Sequence, residues 1–123
     1  MKGKDFQTAL VNIDNKKIGK YSVSNAINIV TWTLFGEGAN QSLKGRKAIA
    51  SVILNRAGGI PIKMIDVALD PDTFSMRRPD DVIYKKYKLT TPTSDLDYSY
   101  TIPFDTNVIS VAKVWNECKS IAT

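Results

Sequence analysis

A single, mainly α domain is the fold that this sequence predicts, and three observations predict it. Apolar residues recur at helical spacing in several separate segments. Ser, Pro and Asp stand where those segments begin, and paired glycines stand where two of them end. The 123 residues, 43% of them apolar, suit one domain with one core.

The elements follow in order. Residues 4–12 form a short helix in this reading, running into the turn-like stretch Asn12 to Lys17, which Gly19 closes. Ser24 caps a helix over 25–36, where Ala26, Ile29, Val30, Thr33 and Leu34 keep helical spacing and Ile27 and Trp32 widen the stripe. Alternation fails there, so its β-branched residues do not make it a strand. Gly36 and Gly38 release the backbone at its end. A second helix runs from Ser42 to about Ala57; after a basic first turn it is apolar nearly all round, the mark of a central buried helix. Gly58 and Gly59 stop it. Pro61 opens a third, short helix through Leu69, and Asp70, Pro71 and Asp72 turn the chain. From Arg77 to Asp105 the chain reads as one long irregular loop whose Tyr98, Tyr100 and Phe104 argue against disorder. Asp105 or Thr106 caps a last helix over 107–121, with Val108, Val111, Ala112, Trp115 and Cys118 on one face.

Composition then removes whole chemistries. With no histidine, a Ser-His or Cys-His nucleophile and an imidazole metal ligand are excluded. One cysteine, Cys118, excludes an internal disulfide, a zinc cluster and an iron–sulfur centre. No metal and no cofactor is expected, and acid–base work falls to carboxylates, lysines and tyrosines. Ten of the twelve acids are Asp; the two glutamates are Glu37 and Glu117. The net charge of +5 sits in residues 1–62, nine basic against three acidic, and favours contact with polyanions. It also fits a plain solubility surface. The N-terminus, Met1-Lys2-Gly3-Lys4-Asp5-Phe6, reaches no uninterrupted apolar stretch, so neither a secretory signal nor membrane insertion is expected.

Glu37 stands apart. It is the one acid between Asp14 and Asp66, a stretch that carries eight basic residues. It is also expected at the C-terminal end of an apolar helix, where the helix dipole and partial burial favour the protonated carboxyl. A glycosidic general acid needs such a group. On spacing alone Glu37 also fits a surface glutamate in a Gly-rich turn.

The segment Thr33-Leu34-Phe35-Gly36-Glu37-Gly38-Ala39-Asn40 is followed by Gly45-Arg46-Lys47-Ala48-Ile49-Ala50-Ser51-Val52-Ile53-Leu54-Asn55-Arg56. Together they resemble the signature of the SleB-type spore-cortex-lytic or cell-wall hydrolase family. The likeness continues through Ile65-Asp66-Val67-Ala68-Leu69 to Asp72-Thr73-Phe74-Ser75, where the family has Q-F-S, so that Thr73 stands in place of Gln. The resemblance covers residues 26–76 and, loosely, the last helix. The family's G-A-x-x-F/Y-type segment after that helix has no counterpart before Thr123, so a minimal version of the domain, a fragment, or an inactive relative kept for another role is expected.

The resemblance implies a small lysozyme-like, lytic-transglycosylase-like helical domain that cuts peptidoglycan glycan strands, in a bacteriophage endolysin or virion-associated protein. It implies that Glu37 is the catalytic acid. Phe74 and Ser75 then belong to substrate binding, while Asn55 and Arg56 are structural, a helix cap and a loop brace. Tyr98 and Tyr100 alternate across Ser99 in the loop, a pattern that either turns one of them toward a glycan or makes a short hairpin. A single Glu suffices for a transglycosylase. A hydrolase wants a second carboxylate at about 5–9.5 Å, for which Asp66, Asp70, Asp72, Asp80 and Asp81 all stand open. Trp32 and Trp115 lie on apolar helix faces and belong to the core. The expected partners are glycan strands and a phage or virion protein, with no nucleic acid, because no aromatic–basic interleaving stands out. The expected location is the host cytoplasm before release to the wall, or the virion. The alternative is a non-catalytic peptidoglycan-binding or virion structural module that keeps the fold.

Overall fold

The computed structural model describes residues 18, 19, 21–89, 103 and 105–122. Five α-helices and one 3₁₀ turn are the regular elements, with no strand among the described residues beyond an isolated antiparallel bridge between Ile18 and Tyr21. The fold is mainly α. The expected helix over 4–12 and the residues Tyr98 and Tyr100 lie outside the described residues.

Helix α1 spans Val23–Gly38, α2 Leu43–Arg56 and α3 Pro61–Leu69; a 3₁₀ turn covers Ser75–Arg77, α4 spans Val82–Tyr87 and α5 Ile109–Ala122. The cap of α1 is Ser22, whose Oγ accepts from the Asn25 N–H at 3.1 Å, so the helix begins two residues before the start expected from Ser24. It also runs through both glycines to Gly38 instead of being released by them.

The expected central helix is the wrong one. Residues 28–35 of α1 are buried without a break, and α2, α3, α5 and the 3₁₀ turn all pack against this helix. In α2 only Arg46, Ala50, Ile53 and Leu54 are buried, and Leu43 and Val52 remain exposed. Burial of Thr31 and Thr33 is made tolerable by hydrogen bonds: their hydroxyls donate to Ile27 O and Ala68 O, each at 2.7 Å. The Thr33 bond also ties α1 to α3.

Ser42 caps α2 as its sequence predicts, accepting from the Gly45 N–H at 3.2 Å. The helix closes in a Schellman motif: Gly58 N–H donates to Asn55 O at 3.2 Å and Gly59 N–H to Leu54 O at 3.1 Å. Gly58 and Gly59 have φ of 60° and 75°, left-handed values that glycine adopts without strain. Pro61 opens α3 as expected.

Helix α4 corrects the reading of 77–105 as one irregular loop. Asp81 caps it, accepting from the Ile83 N–H at 2.9 Å, and Tyr87 anchors it in the core. Four rings meet there: Trp32 lies 5.1 Å from Trp115, 5.2 Å from Tyr87 and 5.8 Å from Phe35, all tilted or edge-on. Phe35 stands 5.7 Å from both Tyr87 and Trp115. This cluster joins α1, α4 and α5 and places Trp32 and Trp115 in the core.

Helix α5 starts two residues later than expected, because residues 105–107 form a turn closed by Val108 N–H to Asp105 O at 3.0 Å. Asp105 is not a cap; its Oδ2 accepts from Tyr87 Oη at 3.1 Å and pairs with Lys86 Nζ at 3.3 Å. Farther along α5, Cys118 is fully buried, and burial pushes its thiol up to about 11, against a smaller lowering by Arg46. At such a value the thiol is not a nucleophile near neutral pH. No single helix among the described residues is long and apolar enough to cross a membrane.

Candidate active site

Glu37 sits in the last turn of α1, partly exposed. Its Oε1 accepts the Met76 N–H at 3.0 Å, and no other partner contacts this carboxylate among the described residues. Met76 follows Phe74 and Ser75, so the fold brings Glu37 against the segment that the sequence singled out. Contact this close depends on Gly36, where a Cβ would lie 2.4 Å from Met76 Cε and 3.0 Å from its Cγ.

The end of α1 is secured by Arg46. Its buried guanidinium donates to Gly38 O at 2.8 Å through Nε and to Ala39 O at 3.1 Å through Nη2, while Nη1 pairs with Glu117 of α5. A cation on the last carbonyls meets the negative end of the helix dipole. Gly38 completes this arrangement, since a Cβ there would lie 2.9 Å from Arg46 Cγ.

The 3₁₀ turn is held by a second buried guanidinium. Arg77 Nη2 donates to Ile29 O at 2.9 Å and to Thr33 Oγ1 at 3.0 Å; Nε donates to Ala68 O at 3.2 Å and Thr33 Oγ1 at 3.3 Å. Its Nη1 is buried with no hydrogen-bond partner among the described residues.

The other sequence candidates divide. Phe74 is only 6% exposed and packs in the core, while Ser75 is exposed at the start of the 3₁₀ turn. Asn55 and Arg56 are exposed at the end of α2. Arg56 Nη1 donates to Thr73 Oγ1 at 3.1 Å, and the Thr73 hydroxyl donates to Asp70 Oδ2 at 2.8 Å, so Arg56 braces the loop after α3. Asp70 Oδ1 accepts the Asp72 N–H at 2.9 Å. That backbone bond, then the Thr73 hydroxyl and the Arg56 charge, hold the Asp70 carboxyl below its ordinary value of 3.8. Asp70 and Asp81 are therefore committed to a turn and a cap. No group of three or more acidic or cysteine side chains among the described residues is placed to hold a metal ion.

A groove of about 300 Å³ lies elsewhere, lined by Phe35, Ala39, Ile83, Lys86, Val111 and Val114 among others. At roughly 100° per residue, Phe35 and Ala39 share one face of the helix end and Glu37 points from the other. On the groove's edge, hydrogen bonding to Tyr87 and then Asp105 raises Lys86 above its ordinary value, and burial chiefly raises Tyr87.

Arg46, Met76, Arg77 and Glu117 escaped the sequence reading. Arg46 looks like one of several bases in an exposed first turn, Glu117 belongs to no motif, and a backbone donor such as Met76 N–H leaves no side-chain signature at all. No protein-family model, curated protein or solved structure matches this chain.

Proposed function

We propose that this protein cleaves peptidoglycan glycan strands at the MurNAc–GlcNAc bond on a lysozyme-like helical fold, with Glu37 as the catalytic acid and base. One observation carries the reading. The carboxylate has one oxygen fixed by a backbone amide and the other without a partner among the described residues, at a helix end next to an exposed serine. A fixed oxygen sets the orientation of the group, and the open one is available for proton transfer.

In the first step Glu37 gives its proton to the glycosidic oxygen as the C1–O bond breaks. In the second, its carboxylate takes the proton of the muramic 6-hydroxyl as that oxygen attacks C1, leaving a 1,6-anhydro end and no net water consumed. One carboxylate serves both steps. For a route through a second carboxylate, Asp70 and Asp81 are engaged in local hydrogen bonds, which leaves Asp66, Asp72 and Asp80 as its candidates. The basic first half of the chain supports retention on an anionic wall, reached from the host cytoplasm or from a virion.

Turbidity loss of purified cell wall, followed by mass spectrometry of released muropeptides, tests the proposal. Wild type is expected to release products lighter by one water than reducing-end fragments, and Glu37→Gln to release none. Equal clearing by both proteins refutes the catalytic reading. The groove lies away from Glu37 and favours a second reading, a wall-binding or virion module. Wall pull-down by both proteins without muropeptide release is its signature.

A further inference from the structure

We infer that Arg77 is the positioning residue of the Glu37 site, a buried clamp that fixes the Met76 amide against the carboxylate. The inference rests on the catalytic reading of Glu37 for its functional consequence, though not for its geometry.

Arg77 is 5% exposed, and its guanidinium faces neutral acceptors: Ile29 O, Thr33 Oγ1 and Ala68 O. Among the described residues no carboxylate pairs with it and Nη1 has no partner. Burying a cation on these terms is costly, and an apolar side chain would fill the same volume more cheaply. What the guanidinium adds is geometry. Arg77 ends the 3₁₀ turn and directly follows Met76, whose N–H meets Glu37. Its principal anchor, Thr33, lies four residues before Glu37 on α1, so anchor and carboxylate are stacked on one helix face. The same rigid turn of helix thus carries both ends of the clamp. The Met76-to-Glu37 distance is set by Arg77 and not by the loop that leads to it. The third acceptor, Ala68 O, already receives the Thr33 hydroxyl and ties α3 into the same unit.

The test uses the whole chain and reads the contact directly. In wild type the Met76 amide resonance should shift with pH as Glu37 titrates, and Glu37→Gln should abolish that shift. In Arg77→Lys, which keeps the charge but loses the fork, the shift should fall to less than half. Wall-cleaving kcat should drop about 10–100-fold with KM little changed, as expected when a reacting group is misplaced by about 1 Å. Thr33→Val removes the shared hydroxyl acceptor and serves as the second variant should Arg77→Lys not fold; the same loss of the amide shift is expected. A folded variant whose Met76 amide still follows Glu37 as in wild type overturns the inference. Failure of the catalytic reading looks different: wild type then clears no wall, while the amide coupling and its loss in the variants still appear.

Discussion

The end of α1 has two faces that solve opposite problems. On the Phe35 side, four aromatic rings close around one another, and the Tyr87 hydroxyl reaches out of the cluster to Asp105. On the Glu37 side there are a bare glycine, a backbone amide and two buried guanidiniums that bond mostly to carbonyls. The first face gains free energy from burial and packing. The second gives free energy up, since it desolvates cations and leaves a carboxylate oxygen open. The difference teaches that one short stretch of helix can anchor the core and present a carboxylate, provided the two tasks occupy opposite sides.

Substitutions on the two faces should therefore separate stability from activity. The largest contrast is between Glu37→Gln and Trp115→Ala. The first is expected to lower wall clearing by about 100-fold or more while leaving unfolding free energy within about 0.5 kcal/mol. The second should cost about 3–5 kcal/mol in urea unfolding, the usual toll for emptying a large aromatic site. Parallel losses in both measurements for both variants would erase the distinction.

Arg46→Met comes next, because it strips the end of α1 of its cap and Glu117 of its partner. Removing one member of a fully buried pair costs about 3–5 kcal/mol. With the Glu117 side chain 35% exposed, solvent screens part of that loss, and about 2–3 kcal/mol in urea unfolding is expected. A smaller effect is expected from Gly36→Ala, where the new methyl must displace Met76: about 1–2 kcal/mol, with a fall in wall clearing larger than that destabilisation explains. Unchanged clearing would show that the Met76 contact does not matter to catalysis.

The smallest effect belongs to the loop brace. Asp70 is held below its ordinary value in the folded chain, so it binds protons less readily there than when unfolded. Its contribution to stability is full above pH 3.8 and drains away as pH falls through the lower folded value. The melting temperature of wild type should exceed that of Asp70→Asn near neutral pH, and the gap should close toward pH 2. A gap that widens on acidification contradicts the assigned sign.

Helix placement was legible wherever local chemistry decides it. Ser42, the Gly58-Gly59 stop and Pro61 act within one turn of the backbone, and α2 and α3 begin and end within a residue of their expected limits. Helix α4 was not legible, because its six residues are too few to show a period and Val82 is 77% exposed; a cap and one buried tyrosine hold it. The order of burial was misjudged for a related reason. Both α1 and α2 are rich in apolar residues, and α1 carries buried threonines whose hydroxyls find acceptors only in the folded chain or within the helix itself. For the candidate site, Glu37 and the Phe74-Ser75 segment were legible as residue types in a pattern. Their meeting through the Met76 amide was not.

By itself, then, the sequence determined a mainly α chain, the limits of α2 and α3, the absence of imidazole and internal disulfide chemistry, and Glu37 as the residue to watch. These depend on composition and on contacts within about one helical turn. The tertiary structure alone decided which helix is central, that Arg46 is matched to Glu117, and that Arg77 sets the turn facing Glu37. Those outcomes join residues 39, 44 and 71 positions apart. No local rule of spacing reaches that far, because only packing selects which distant donors and acceptors share a buried space.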